Sequence, residues 1–250
     1  MTHLTYAVGD IHGDLEQLHS IMARIDADFQ KSGADSHHIV FIGDLVDRRP
    51  DSKGTIDYLM DGLAAGKPWT VLKGNHDRLM EWFFDDPHRH DPHLKPDYSW
   101  LHHRIGGVET LASYGVTVPE NYRECLGDIL AMAVKNVPAA HVDFISNLSL
   151  SYETDDIFFC HAGVNLDRPL NDQTETDLVW IRDGWLDNPK MAAKLILHGH
   201  TIVDEVTHYG NRVNIDTGAA WGDTLSAVVT IGRDVFQLTE QGRVEITQPA

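Results

Sequence analysis

Ile39-Val40-Phe41-Ile42-Gly43-Asp44-Leu45-Val46-Asp47-Arg48 is the stretch that decides how the chain folds. Its four leading apolar residues, bounded by polar turns, predict a short buried strand. Gly43 then permits a tight turn and a close approach of backbone to a ligand. Asp44, Asp47 and Arg48 follow at the strand's carboxyl end. Four other segments repeat the pattern. Tyr6-Ala7-Val8 runs into Gly9-Asp10-Ile11-His12-Gly13-Asp14, and Val71-Leu72-Lys73 runs into Gly74-Asn75-His76-Asp77. Phe158-Phe159-Cys160 runs into His161-Ala162-Gly163, and Leu195-Ile196-Leu197 runs into His198-Gly199-His200. In open α/β sheets ligands bind outside the carboxyl ends of the strands. Five such ends would bring Asp10, His12, Asp44, Asn75, His161 and His200 to one place.

Each block alone is a weak signal. Gly-Asp pairs form turns, a lone histidine is usually structural, and Asp10, Asp44 or Asn75 would each serve as a helix N-cap. Their joint occurrence is what points to a metal site. Carboxylate, imidazole and amide oxygen together suit Mn, Fe, Zn or Ni better than a dedicated Ca site. Two metals sharing a carboxylate make a clamp for in-line displacement at phosphorus. Two divalent ions per chain are therefore expected, with Mn supporting activity and Fe, Zn or Ni fitting the same donors. His198 is expected to support the site by hydrogen bonding rather than to ligate. Asp14 is expected to cap a helix, and Cys160 to be a buried structural thiol.

Working outward, the first third alternates strand and helix. Strands are expected at residues 5–9, 39–42 and 69–72, and helices at 15–29, 51–63 and 78–84. Leu15, Leu18, Ile21, Met22, Ile25 and Phe29 mark the first helix by their spacing. This order argues for a largely parallel sheet covered by helices. Pro87, Pro92 and Pro96 then break the chain, and residues 107–114, 121–135 and 139–148 read as helices of an insertion at about 85–148. His88, His90, His93, His102 and His103 fall in this region and read as a hydrated surface loop. The last hundred residues are strand-rich, with strands at 150–153, 157–160, 194–197, 205–209, 212–215, 225–231 and 235–239. The expected fold class is α/β, with central mixed sheets in a β-sandwich flanked by helices. Residues 1–250 are expected to form a single domain carrying the insertion.

Composition narrows the function. Of 250 residues, 20 are Lys or Arg and 38 are Asp or Glu, a net charge of −18. That acidity argues against nucleic acid or an anionic membrane as partner. It also repels a phosphorylated substrate unless bound cations and local arginines reverse the field. Hydrophobic residues make up 42% of the chain, enough for a globular core. Two cysteines do not make a disulfide framework, which suits a reducing compartment. The amino terminus has no basic region followed by an apolar core, and no apolar run reaches membrane-spanning length, so a cytoplasmic protein is expected.

The five blocks resemble the signature of the PPP family of serine/threonine protein phosphatases, within the calcineurin-like metallophosphoesterases, and most of all its small bacterial and phage members. The resemblance spans roughly residues 5–220, in the family's order. It implies that Asp10 and His12 hold one metal, Asp44 bridges both, and Asn75, His161 and His200 hold the second. It implies that a metal-bridging water attacks phosphorus with no covalent intermediate. His76 would protonate the leaving oxygen, Asp47 would orient His76, and Arg48 would bind phosphate oxygens together with Asn75. Arg182, in Leu178-Val179-Trp180-Ile181-Arg182-Asp183, is similar to the family's second phosphate-binding arginine. An arginine fork grips phosphate in bidentate fashion, and an imidazolium held by a carboxylate is a suitable acid near pH 7.

The chain departs from the family in two places. Asp77 stands where most members carry Glu, and Ile215-Asp216-Thr217-Gly218-Ala219 resembles the bacterial and dinucleotide-hydrolase branches. The favoured activity is a serine/threonine protein phosphatase. The alternative is a dinucleoside polyphosphate (diadenosine tetraphosphate) hydrolase, so the expected partner is a phosphoprotein or a phosphorylated small molecule. In the alternative, Trp100, His102, His103 and Arg104 of the insertion could stack on and contact a nucleobase, or equally serve helix packing. The presence of Asp47, Arg48 and His76 beside six donors argues against an inactive scaffold.

Overall fold

The structure is a computed structural model that describes residues 2–248. The alternation read from the amino-terminal third is realised as β1 (His3–Val8), α1 (Leu15–Ser32), β2 (Ser36–Phe41), α2 (Ser52–Ala64), β3 (Trp69–Val71) and α3 (Asn75–Asp85). The helices of the 85–148 region are α4 (Gly107–Ser113), α5 (Leu126–Asn136) and α6 (Ala139–Ser146). The strand-rich remainder contains β4 (Ser151–Glu153), β5 (Ile157–Cys160), α7 (Glu175–Trp180), β6 (Leu195–His198), β7 (Thr207–His208) and β8 (Arg212–Asn214). It ends with β9 (Ala227–Ile231), β10 (Asp234–Thr239) and β11 (Gly242–Glu245).

Two mixed sheets result, with orders β11-β10-β9-β1-β2-β3 and β4-β5-β6-β8-β7. β1, β2 and β3 run parallel, as do β5, β6 and β8. The sheets meet in a shared core where Ala7, Val40, Ile42 and Val228 face Ile157, Phe159, Leu197 and Val213. The alternate residues Tyr6, Val8 and Phe41 point to the opposite side and pack beneath the helices. Both faces of β1 and β2 are covered, which is why these strands read as unbroken apolar runs. α1 buries Leu18, Ile21, Met22 and Ile25, each contributing about 2 kcal/mol by leaving water. Asp14 caps it as expected, accepting a hydrogen bond from the Gln17 amide at 3.2 Å.

The differences from the sequence reading are local. α3 starts at Asn75 rather than at residue 78, because the Asp77 carboxylate reaches back to accept from the Gly74 amide at 2.8 Å and satisfies a free amide of the first turn. α7 is six residues long, too short to show a period, and rests on a reciprocal capping box between Thr174 and Asp177. β11 is a largely exposed edge strand without alternation. Among the described residues no helix is long and apolar enough to cross a membrane.

Candidate metal and phosphate site

The carboxyl ends of β1, β2 and β3 in one sheet and of β5 and β6 in the other open onto the same side of the sandwich. The loops leaving them are strained. Among the described residues five non-glycine residues have positive φ: His12 at 51°, Asp44 at 48°, Asp47 at 77°, Arg48 at 70° and His200 at 66°. All five belong to the predicted set. Non-glycine residues enter this region at a cost of about 1 kcal/mol or more, and such strain collects at functional sites. The flanking glycines are there for space. A Cβ on Gly74 would collide with the Asp44 carboxylate, and one on Gly199 with the Asp10 carboxylate.

Two groups of donors lie within 4.8 Å of one another, His12 with Asp44 and His76, and Asp44 with His161 and His200. Asp44 is common to both. The second ring nitrogen of two histidines is already engaged. His12 Nδ1 donates to the Val46 carbonyl at 2.9 Å, and His161 Nδ1 donates to the Ile42 carbonyl at 3.0 Å. Their Nε2 lone pairs are therefore directed inward, each 3.4 Å from Asp44 Oδ2. Asn75 presents Oδ1 3.0 Å from His161 Nε2. His200 places Nδ1 3.2 Å from the same nitrogen. Asp10 Oδ2 accepts from the His200 amide at 3.1 Å, while its Oδ1 is buried without a partner.

So many acceptors facing one another in a buried space call for a cation. Burial pushes Asp44 up to about 7, and it holds Asp10 well above the usual carboxylate range, with Asp216 and Asp44 adding repulsion. Burial also disfavours the charged forms of His12, His161 and His200. Neutral imidazoles, buried carboxylates and an amide oxygen are the donor set that divalent first-row ions take, so the residues fit a metal. Asp44 Oδ1 also accepts from the His76 amide at 2.9 Å. It thus caps α3 while Oδ2 faces the donors, and the capping and ligating readings of this residue coexist.

His76 stands beside the donors. Its Nδ1 lies 2.6 Å from Asp47 Oδ2, and its Nε2 accepts from Arg48 Nη2 at 2.9 Å. Asp47 is fully buried and holds further donors, with Trp100 Nε1 at 3.0 Å from both oxygens and Thr110 Oγ1 at 2.7 Å. Burial opposes charge on both members of the pair, raising Asp47 and lowering His76. Arg48 also donates to His12 Nε2 at 3.3 Å and packs 5.1 Å from the centre of the exposed Trp221 ring. Arg182 faces the cluster from the other side, donating from Nε to His200 Nε2 at 2.9 Å. All ten predicted residues thus come together, and eight of them line or edge one cavity of about 210 Å³; His161 and Asp47 sit behind its wall.

Comparison with known proteins extends this geometry. The family model for calcineurin-like phosphoesterases matches residues 4–224. The chain belongs to the calcineurin-like phosphoesterases. It is 24% identical over 240 residues to the bis(5'-nucleosyl)-tetraphosphatase PrpE (asymmetrical) of Bacillus mycoides, covering 88% of each chain. Among solved structures, a cold-active protein-tyrosine phosphatase of a psychrophilic Shewanella species matches with a TM-score of 0.64 at 13% identity, covering 99% of this chain and 81% of that one. A structure provisionally described as a diadenosine tetraphosphatase matches with a TM-score of 0.62 at 19% identity, covering 100% of this chain and 96% of that one. At such identities the structural matches speak for the fold.

As a calcineurin-like phosphoesterase the chain carries an individual wall on its cavity. Leu94, Lys95, Tyr98 and Ile105 from the 85–148 region line it, with Trp180 and Asp216. His93, read as part of a hydrated loop, also lines it and stacks on Trp180 at 5.5 Å. For Trp100 the packing reading holds and the nucleobase reading does not. It is 4% exposed and its indole serves Asp47, so it is closed to a nucleobase. His102 stacks on Tyr98 at 3.9 Å instead. Asp77 is fully buried and braces two loops, accepting from the Leu45 amide at 3.0 Å as well as from Gly74. His198 is buried against Trp185, and among the described residues its Nε2 has no hydrogen-bond partner, so it does not give the donors the hydrogen-bond support expected of it. Lys95, Thr110 and Asp216 were missed as site residues. Asp216 lay within a quoted motif, whereas Lys95 and Thr110 had no pattern around them.

Proposed function

We propose that this chain is a metal-dependent hydrolase of dinucleoside polyphosphates, acting on compounds of the diadenosine tetraphosphate type through a two-metal site. The supporting observation is the end-to-end likeness to the Bacillus bis(5'-nucleosyl)-tetraphosphatases, joined to a cavity walled by the insertion directly beside the donors. A concave cavity of about 210 Å³ beside the donors suits the phosphates of a small compound better than the surface of a folded phosphoprotein. This reverses the preference read from the sequence, where the protein phosphatase stood first. The serine/threonine phosphatase is kept as the second reading because Gly43-Asp44-Leu45-Val46-Asp47-Arg48 carries the phosphatase signature through to Asp-Arg.

Asp10, His12 and Asp44 would hold one ion, and Asp44, Asn75, His161 and His200 the other, Mn being the ion first expected. Bound divalent ions supply positive charge to the phosphate oxygens and lower the pKa of the attacking water. The chain's own residues do the rest. Arg48 and Arg182 hold the phosphoryl group from two sides, with Asn75 alongside. Water attacks phosphorus and gives up a proton, the bridging P–O bond breaks, and His76, once protonated on the Nε2 that now accepts from Arg48, would deliver that proton to the departing phosphate oxygen. Asp47, held by Trp100 and Thr110, keeps His76 in place. Residues 1–250 act as one domain with its insertion at about 85–148, in the cytoplasm, where free Cys125 and Cys160 stay reduced. Incubating the Mn-loaded protein with diadenosine tetraphosphate and separating the nucleotides tests the reading. Release of AMP with ATP, or of ADP, supports it, and intact substrate after many catalytic lifetimes contradicts it.

A further inference from the structure

Lys95 sits in the insertion, on a turn closed by the Tyr98 amide donating to the Lys95 carbonyl at 2.8 Å. The same carbonyl lies 3.2 Å from His90 Nε2. Its ammonium stands 5.6 Å from the centre of the Tyr98 ring. Tyr98 is itself fixed by its stacking with His102. In this strongly acidic chain Lys53, Lys73, Lys190 and Lys194 each pair with a carboxylate. Among the described residues Lys31, Lys67, Lys95 and Lys135 make no such pair, and of these four Lys95 is the one that lines the cavity holding Arg48, Arg182 and the donor cluster. An unpaired, strongly hydrated point charge beside two arginines exceeds what one phosphoryl group requires.

We infer that Lys95 is a specificity-determining residue that binds the phosphates beyond the one attacked, selecting substrates with a run of contiguous phosphates over monoesters. The inference rests on the dinucleotide reading and adds to it the site that would recognise the polyphosphate. The ring of Tyr98 holds the ammonium over the cavity by a cation–π contact, which lowers the ordering cost on binding. The ammonium is exposed, so its effect is screened by salt.

The test compares wild type, Lys95→Ala and Lys95→Arg, all Mn-loaded, on diadenosine tetraphosphate and on p-nitrophenyl phosphate. Lys95→Ala is expected to lower kcat/KM for the dinucleotide by about tenfold more than for the monoester, chiefly through KM. Lys95→Arg should restore most of the loss, and raising the ionic strength should narrow the gap between wild type and Lys95→Ala. Equal loss on both substrates would assign Lys95 a merely structural role and overturn the inference. So would an unchanged ratio, with the dinucleotide reading left standing. A wild type that cleaves p-nitrophenyl phosphate but not diadenosine tetraphosphate would overturn both.

Discussion

His76 and Asp44 carry different duties, and the difference is measurable. His76 meets Asp47 through one nitrogen and faces the cavity with the other, while Asp44 is common to both donor groups. His76→Asn should therefore cost rate while metal content, read by elemental analysis, stays near wild type. Asp44→Asn should lose both. Proton delivery matters most when the leaving group is a strong base. The loss in His76→Asn should then be larger on phosphoserine than on a phosphoanhydride, whose leaving phosphate is a weak base. Equal losses on both would remove His76 from proton transfer. Why these residues were legible is equally specific. Asp44 follows Gly43 at the end of a strand, and His76 lies in the block Gly74-Asn75-His76-Asp77 just after one. Trp100 and Thr110 bind the Asp47 carboxylate from 53 and 63 residues away, and no local pattern announces such a contact.

At the scale of elements, the segment between α3 and α4 is tied to the site by two buried anchors. One is the Trp100 indole on Asp47. Trp100→Phe keeps the ring but removes the donor, and is expected to lower kcat on the order of tenfold with a smaller change in KM. An unchanged kcat would make Trp100 a packing residue only. The other anchor is Arg78 on α3, which meets Asp91 at 2.5 Å with both side chains almost fully buried. Asp91 also accepts from Trp180 Nε1 at 3.1 Å, so α3, the insertion and α7 share one ion pair. Arg78→Met removes the buried guanidinium and leaves Asp91 to His93 and Trp180, and should destabilise the protein by about 3 kcal/mol in denaturant titration. The strands and long helices of this frame were legible from periodicity. α7 and β11 were not, because six residues and an exposed edge carry too little apolar pattern. The side of the insertion facing the site was not legible either, since it depends on contacts made across the sheet.

The whole molecule sets an acidic chain against an anionic substrate, and the metal site is where that conflict is resolved. Burial raises Asp44 from 3.8 to about 7 when no cation is bound. A group raised in this way contributes stability that is fully present below its unfolded value and is lost as pH rises through its folded value. A bound cation favours the ionised carboxylate and removes that loss. The rise in Tm on adding Mn should therefore grow from about pH 5 to about pH 8, and a rise independent of pH would argue against metal at these carboxylates. The central claim is that this site serves dinucleoside polyphosphates. One metal-stripped preparation, refilled with Mn, should be assayed for kcat/KM on diadenosine tetraphosphate and on a phosphoserine peptide. The account predicts a much higher value on the dinucleotide, with no activity on either before Mn is restored. A much higher value on the peptide would contradict it and return the chain to the protein phosphatases.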